Sequence, residues 1–186
     1  MDLHIRNMVS NRDKLILRSE LEKLELHFKT ISLGEVEITD FLSTKKKNQL
    51  NINLKKSGLA LIEDKKGILV EKIKNIIVEL VHYSEKQLKI NFSDYLSQKL
   101  GYDYTYLANI FSEHQGISVE HFILSHKIEG VKELLIYDEL NITEIADRMH
   151  YSSVAHLSNQ FKKMTGLTPS DYKRLKVRKR ISLEKV

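Results

Sequence analysis

Thirteen residues in the C-terminal half of the chain have a second copy further on. YLANIFSEHQGIS at 106–118 lies over HLSNQFKKMTGLT at 156–168, an offset of 50. Leu107 falls on Leu157, Asn109 on Asn159, Phe111 on Phe161 and Gly116 on Gly166, and Phe122 then falls on Tyr172. Upstream, with one residue fewer in the first turn, Leu96 falls on Ile145, Leu100 on Met149 and Gly101 on His150. A fixed internal period marks a repeated supersecondary unit. Each copy reads as helix, tight turn, helix and glycine, a helix-turn-helix unit closed by a left-handed C-cap. One such pattern is weak. Two in register, joined by a long helix, argue against a plain helical bundle.

Helical periodicity supports this over the whole second part of the chain. Its one proline is Pro169, so no proline breaks a helix before that point. Residues 68–83 carry Leu69, Ile73, Ile76, Ile77, Leu80 and Val81 on one face. Further helices are expected at 92–100, 104–114, 118–138, 142–150 and 153–164, with a last short one opening near Pro169, a first-turn position that suits proline.

Residues 1–66 follow another pattern. Leu3, Ile5 and Met8-Val9 suggest a strand, and 12–25 an amphipathic helix. FKTISLGEVEI at 28–38 alternates around Gly34 as two strands with a tight turn. A helix at 43–57 and a strand at 59–62 complete the order β-α-β-β-α-β, that of a ferredoxin-like split βαβ unit. Asp64-Lys65-Lys66-Gly67 is the expected boundary. The fold class expected is therefore α+β. A small ferredoxin-like domain (1–66) precedes an all-α double helix-turn-helix domain (67–180) and a tail (181–186).

In the repeat, Leu107, Ile110 and Phe111, and their counterparts Leu157, Phe161 and Met164, must face inward. What remains outward is small or polar: Thr105, Ala108 and Asn109 in the first copy, Val154, Ala155, His156, Ser158 and Asn159 in the second. Small side chains let a helix sink into the major groove. Asn can pair bidentately with adenine, and Ala or Val can touch a thymine methyl. Thr105, Ala108, Asn109, Val154, Ala155, His156 and Asn159 are the expected base contacts. Ser152, Lys162, Lys163, Lys173 and Arg174 are the expected phosphate contacts.

Charge agrees with this placement. The chain carries a formal +5, and residues 139–180 hold nine Lys/Arg against four Asp/Glu, while 67–138 hold seven against ten. The surplus runs into Lys173-Arg174-Leu175-Lys176-Val177-Arg178-Lys179-Arg180, an end that attracts a polyanion. Cysteine is absent, which removes disulfides, thiolate metal sites and cysteine nucleophiles. No H-E-x-x-H, P-loop, G-x-G-x-x-G or G-x-S-x-G motif occurs, and the eight histidines are dispersed, so no catalytic residue, cofactor or metal is expected. No apolar run reaches membrane-spanning length and the N-terminus lacks a signal core, so a cytoplasmic, nucleoid-associated protein is expected.

The residues IADRMHYSSVAHLSNQFKKMTGLTPSDYKR (145–174) resemble the second helix-turn-helix of the AraC-type transcriptional regulators, and the resemblance extends over about 68–176. Lys127-Ile128 falls where that family places a basic-apolar pair. The resemblance implies seven helices and two recognition helices in successive turns of major groove, in a bacterial-type regulator. Where the family's turn has glycine this chain has His150, a residue that tolerates positive φ better than most. Residues 1–64 resemble a heavy-metal-associated domain in shape and spacing only. The carrier loop M-x-C-x-x-C reads here as Met8-Val9-Ser10-Asn11-Arg12-Asp13, without either thiolate. A soft Cu(I) ion needs sulfur, so that activity is not carried over. The reading is a sequence-specific regulator that binds double-stranded DNA. Residues 1–66 would be an interaction surface for a second copy or a partner protein, and RNA polymerase a further candidate partner. The alternative is a regulator whose metal or small molecule binds residues 1–66, with His4 and Asp13 the weak grouping available.

Overall fold

The computed structural model describes residues 1–84, 90–137 and 139–175. The chain is α+β and divides into two compact units. Met1–Val78 with Phe92–Gly116 form the first; Glu79–Asn91 with Ile117–Val186 form the second.

In the first unit, β1 (Asp2–Arg6), α1 (Asn11–Lys23), β2 (Phe28–Ser32), β3 (Glu35–Ile38), α2 (Thr44–Lys55) and β4 (Ala60–Ile62) follow in the expected order. The sheet runs β2-β3-β1-β4, every neighbouring pair antiparallel, which is the split βαβ arrangement. Alternation sets its faces: Leu3, Ile5, Val36 and Ile38 join Leu17, Leu21, Leu50 and Leu54 of the two helices in one core. The first strand is shorter than expected. It ends at Arg6, Asn7 turns the chain at φ 63, and Met8 drops fully buried into the core instead of extending the strand.

Ser10 and Asp13, expected at the thiolate positions of a carrier-like loop, build a helix cap. The Ser10 and Val9 amides donate to Asp13 Oδ2 at 2.9 and 3.0 Å, the Ser10 hydroxyl donates to the same oxygen at 2.7 Å, and the Asp13 amide donates back to Ser10 Oγ at 3.3 Å. That is the reciprocal capping box of α1. His4 instead faces Glu35 on the neighbouring strand at 3.9 Å.

Asp64 starts α3 (Lys65–Val78) by accepting the Gly67 amide at 2.6 Å. α3 buries Val70, Ile73, Ile77 and Val78, and among them three polar side chains, Glu71, Lys74 and Asn75. These meet the end of β1 and the β2–β3 turn. Glu71 pairs with Lys74 at 2.7 Å and accepts the Asn7 amide at 3.1 Å; Lys74 donates to Asn7 Oδ1 at 3.3 Å; Asn75 donates to the Leu33 carbonyl at 3.1 Å. α4 (Phe92–Leu100) and α5 (Tyr104–Gln115) complete this unit, both helices of the first repeat copy, with α5 packed on α3 and α4.

In the second unit the helix expected to run on to residue 83 changes character. Glu79–Tyr83 is π-helical, a wider turn that no change in apolar spacing announces. α6 (Val119–Tyr137), α7 (Ile142–Arg148), α8 (Val154–Thr165) and a helical stretch over 169–175 follow. Ile128, Val131, Leu135, Ile145, Met149, Leu157 and Phe161 form its core. The basic residues of 176–180 and the tail 181–186 lie outside the described residues. No helix among the described residues is long and apolar enough to cross a membrane.

Candidate nucleic-acid interface

The two repeat copies are built by the same local chemistry. In the first, Gly101 ends α4 at φ 74, Asp103 caps α5 by accepting the Thr105 amide at 2.8 Å, and Gly116 closes α5 at φ 70. In the second, Asn141 caps α7 in a capping box with Glu144, Ser153 caps α8 by accepting the His156 amide at 3.1 Å, and Gly166 closes α8 at φ 78. The left-handed closing residues are glycines because a Cβ is strained there. His150 takes the Gly101 position at φ 54, as the residue type allows.

Each second helix buries one face. Leu107, Ile110 and Phe111 are buried on α5, and Leu157 and Phe161 on α8. Spacing by three and four then sets Thr105, Ala108, Asn109 and Ser112 in one row of α5, and Ala155, Ser158, Asn159 and Lys162 in the equivalent row of α8. Thr105, Asn109, Ala155, His156, Asn159, Lys162 and Lys163 are exposed, as is Ser152 in the turn; Ala108 and Val154 are half-buried. On the stretch after α8, Lys173 is half-buried and Arg174 is exposed and ion-paired to Asp171. Asp171 is held below the usual carboxylate range, first by the Thr168 hydroxyl and then by Arg174. An exposed pair of this kind is weak and readily exchanged for a phosphate.

His156 is oriented by its own unit. Ser152 Oγ lies 3.0 Å from His156 Nδ1, and the Tyr151 ring meets the imidazole edge-on at 5.3 Å between centroids. Tyr151 is itself buried, its hydroxyl has no partner among the described residues, and burial pushes its ionisation up to about 12. Lys127 of α6 sits over the Tyr151 ring at 5.1 Å, and its own burial lowers its pKa. A basic side chain on α6 thus supports the Tyr151 ring, which precedes α8 and packs edge-on against His156.

Tyr106 is absent from the set expected from the sequence. It stands at the repeat position of His156, and it too is held from four residues earlier: Tyr102 stacks on it at 5.4 Å with 28° between the rings. Both tyrosines are about half exposed, at 49% and 45%. The offset that pairs Asn109 with Asn159 also pairs Tyr106 with His156, and that is the signal in the sequence. Among the described residues no group of three His, Asp or Glu side chains is placed to hold a metal ion.

The helix-turn-helix domain family matches residues 96–175. An uncharacterised HTH-type transcriptional regulator of Bacillus subtilis strain 168, YtdP, is 28% identical over 105 residues, 56% of this chain and 13% of its own length. An uncharacterised HTH-type transcriptional regulator of Staphylococcus aureus is 27% identical over 163 residues, 73% of this chain and 22% of its own length. The chain therefore spans less than a quarter of either relative. Among solved structures, the C-terminal domain of AraT, a response regulator from Geobacillus stearothermophilus, superposes with a TM-score of 0.52 at 28% identity, over 60% of this chain and 88% of that one. Residues 96–175 thus form a helix-turn-helix domain, similar to those of the HTH-type transcriptional regulators above.

Proposed function

We propose that the whole protein regulates transcription by binding a specific duplex site with both recognition helices. In this reading α5 presents Thr105, Ala108 and Asn109 to base edges, and α8 presents Val154, Ala155, His156 and Asn159. Ser152, Lys162, Lys163, Lys173 and Arg174 hold phosphates. The observation that carries it is the equivalence of the two helices: same type of cap, same closing glycine, same outward row. Residues 67–180 would form the DNA-binding part and residues 1–66 a docking surface for a second copy or a partner protein, with RNA polymerase a further partner and the nucleoid the place of action. The reading of residues 1–66 as a docking surface rather than a metal carrier is favoured by the use of Ser10 and Asp13 as a helix cap. The test is genome-wide mapping of DNA bound by the full chain. A shared sequence upstream of a limited set of genes is the expected result; uniform occupancy without a motif would contradict it.

A further inference from the structure

One surface of the first unit lies outside all of these assignments. A groove of about 400 Å³ is lined by Lys65, Lys66 and Lys72 of α3, Lys99 at the end of α4, and the stacked Tyr102 and Tyr106, over a floor of Ile68, Leu69 and Leu100. No carboxylate lines it among the described residues. The carboxylates adjacent in sequence are turned elsewhere: Asp64 caps α3, the buried Glu71 pairs with Lys74, and Asp103 caps α5. All four lysines are exposed, and none is ion-paired among the described residues. A solvated lysine face is ordinarily interleaved with acids. Four ammonium groups converging on one groove raise the local potential and select an anion. The tyrosines add hydroxyl donors and flat apolar faces at its rim.

We infer that this groove is a phosphate-binding site that takes the backbone of duplex DNA beside the segment read by α5. The location favours duplex DNA over a free phosphorylated molecule. Tyr106 belongs to α5 itself, one residue from Thr105 and three from Asn109, so the groove is continuous with the outward row of that helix. It also gives the first repeat copy the phosphate contacts it otherwise lacks, since every phosphate contact expected from the sequence lies at Ser152 or beyond. This rests on the DNA-binding reading above.

The test uses the full chain and a duplex enriched by that chain from a randomised pool. Binding is measured against salt for the wild type, for a variant with Lys65→Gln, Lys66→Gln, Lys72→Gln and Lys99→Gln together, and for one with the same four lysines changed to Arg. Each phosphate lost should lower the log–log salt slope by close to one unit. The Gln variant should lose about two units or more, equally on enriched and scrambled duplexes, while the Arg variant keeps the wild-type slope and circular dichroism shows all three folded. A wild-type slope in the folded Gln variant would overturn this inference and leave the DNA-binding reading standing. Failure of the wild type to bind any duplex would remove both. Displacement of the duplex from the wild type, but not from the Gln variant, by adenosine monophosphate at concentrations near about 0.1 mM would show a free-nucleotide site and overturn the assignment to DNA.

Discussion

The side-chain amide of Asn75 occupies the place where a β-carbon on Gly34 would stand, 2.0 Å from it. Gly34 turns the β2–β3 hairpin at φ 74, and Asn75, from α3, crosses above it to donate to the Leu33 carbonyl. Helix and hairpin are thus fitted to each other within the first unit. Gly34→Ala should lower stability by about 2 kcal/mol or more, from left-handed strain plus a displaced buried hydrogen bond. In an Asn75→Ala background the same substitution should cost only about 1 kcal/mol, because the displaced group is gone. Denaturant unfolding of the four proteins measures this coupling; additive losses would contradict the contact.

Tyr151 offers a second check. Its hydroxyl is buried without a partner among the described residues, so removing it deletes an unmet polar group. Tyr151→Phe should leave the melting temperature unchanged or raise it. Absorbance titration should show one of the eight tyrosines ionising near 12, absent in that variant. Marked destabilisation by Tyr151→Phe would mean that the hydroxyl is hydrogen-bonded.

His156, Tyr106 and the lysines of α8 should separate by role. His156→Ala should cost about 1–3 kcal/mol at an enriched site and little on scrambled DNA, whereas Tyr106→Ala, at the rim of the lysine groove, should weaken both alike. Lys162→Ala and Lys163→Ala should weaken both alike, with a shallower salt slope. Competition binding on matched and scrambled duplexes gives the comparison, and identical behaviour of the two groups would contradict it.

Burial lowers the pKa of His82, partly offset by Glu133, and His126 Nδ1 lies 3.2 Å from its Nε2. A histidine whose folded pKa is below its unfolded value favours the neutral form. Its contribution is therefore complete above the unfolded pKa, about 6.5, and declines as pH falls through that value. The melting temperature of the chain should fall between about pH 7.5 and 5.5, and His82→Gln should reduce that dependence. An unchanged pH dependence in the variant would contradict the role given to His82.

What can be read from the residues differs by element. The closing glycines Gly116 and Gly166, the inward Leu–Phe pairs and the order of the sheet follow from spacing that one helix face or one strand face imposes. Ser10 and Asp13 match a metal loop by position, although Ser-x-x-Asp before an apolar helix is itself a capping pattern. Met8 looks like a strand residue because apolar alternation does not show that Asn7 adopts positive φ. Glu71, Lys74 and Asn75 would pass for a solvated helix face. Their burial depends on partners such as Asn7, 64 residues from Glu71, which no local pattern specifies. The same holds for the lysine groove, where Lys65 and Lys99 converge only through packing.

The most direct measurement of the central claim is base-by-base specificity of the full chain, taken from a randomised duplex pool at low salt, for the wild type, Asn109→Ala and Asn159→Ala. If both recognition helices read one site, the wild type enriches a motif with two separate segments. Each variant then relaxes preference in one segment only, a different one for each, by about 1–3 kcal/mol. Enrichment of no motif, or loss of preference at the same positions in both variants, would contradict the account.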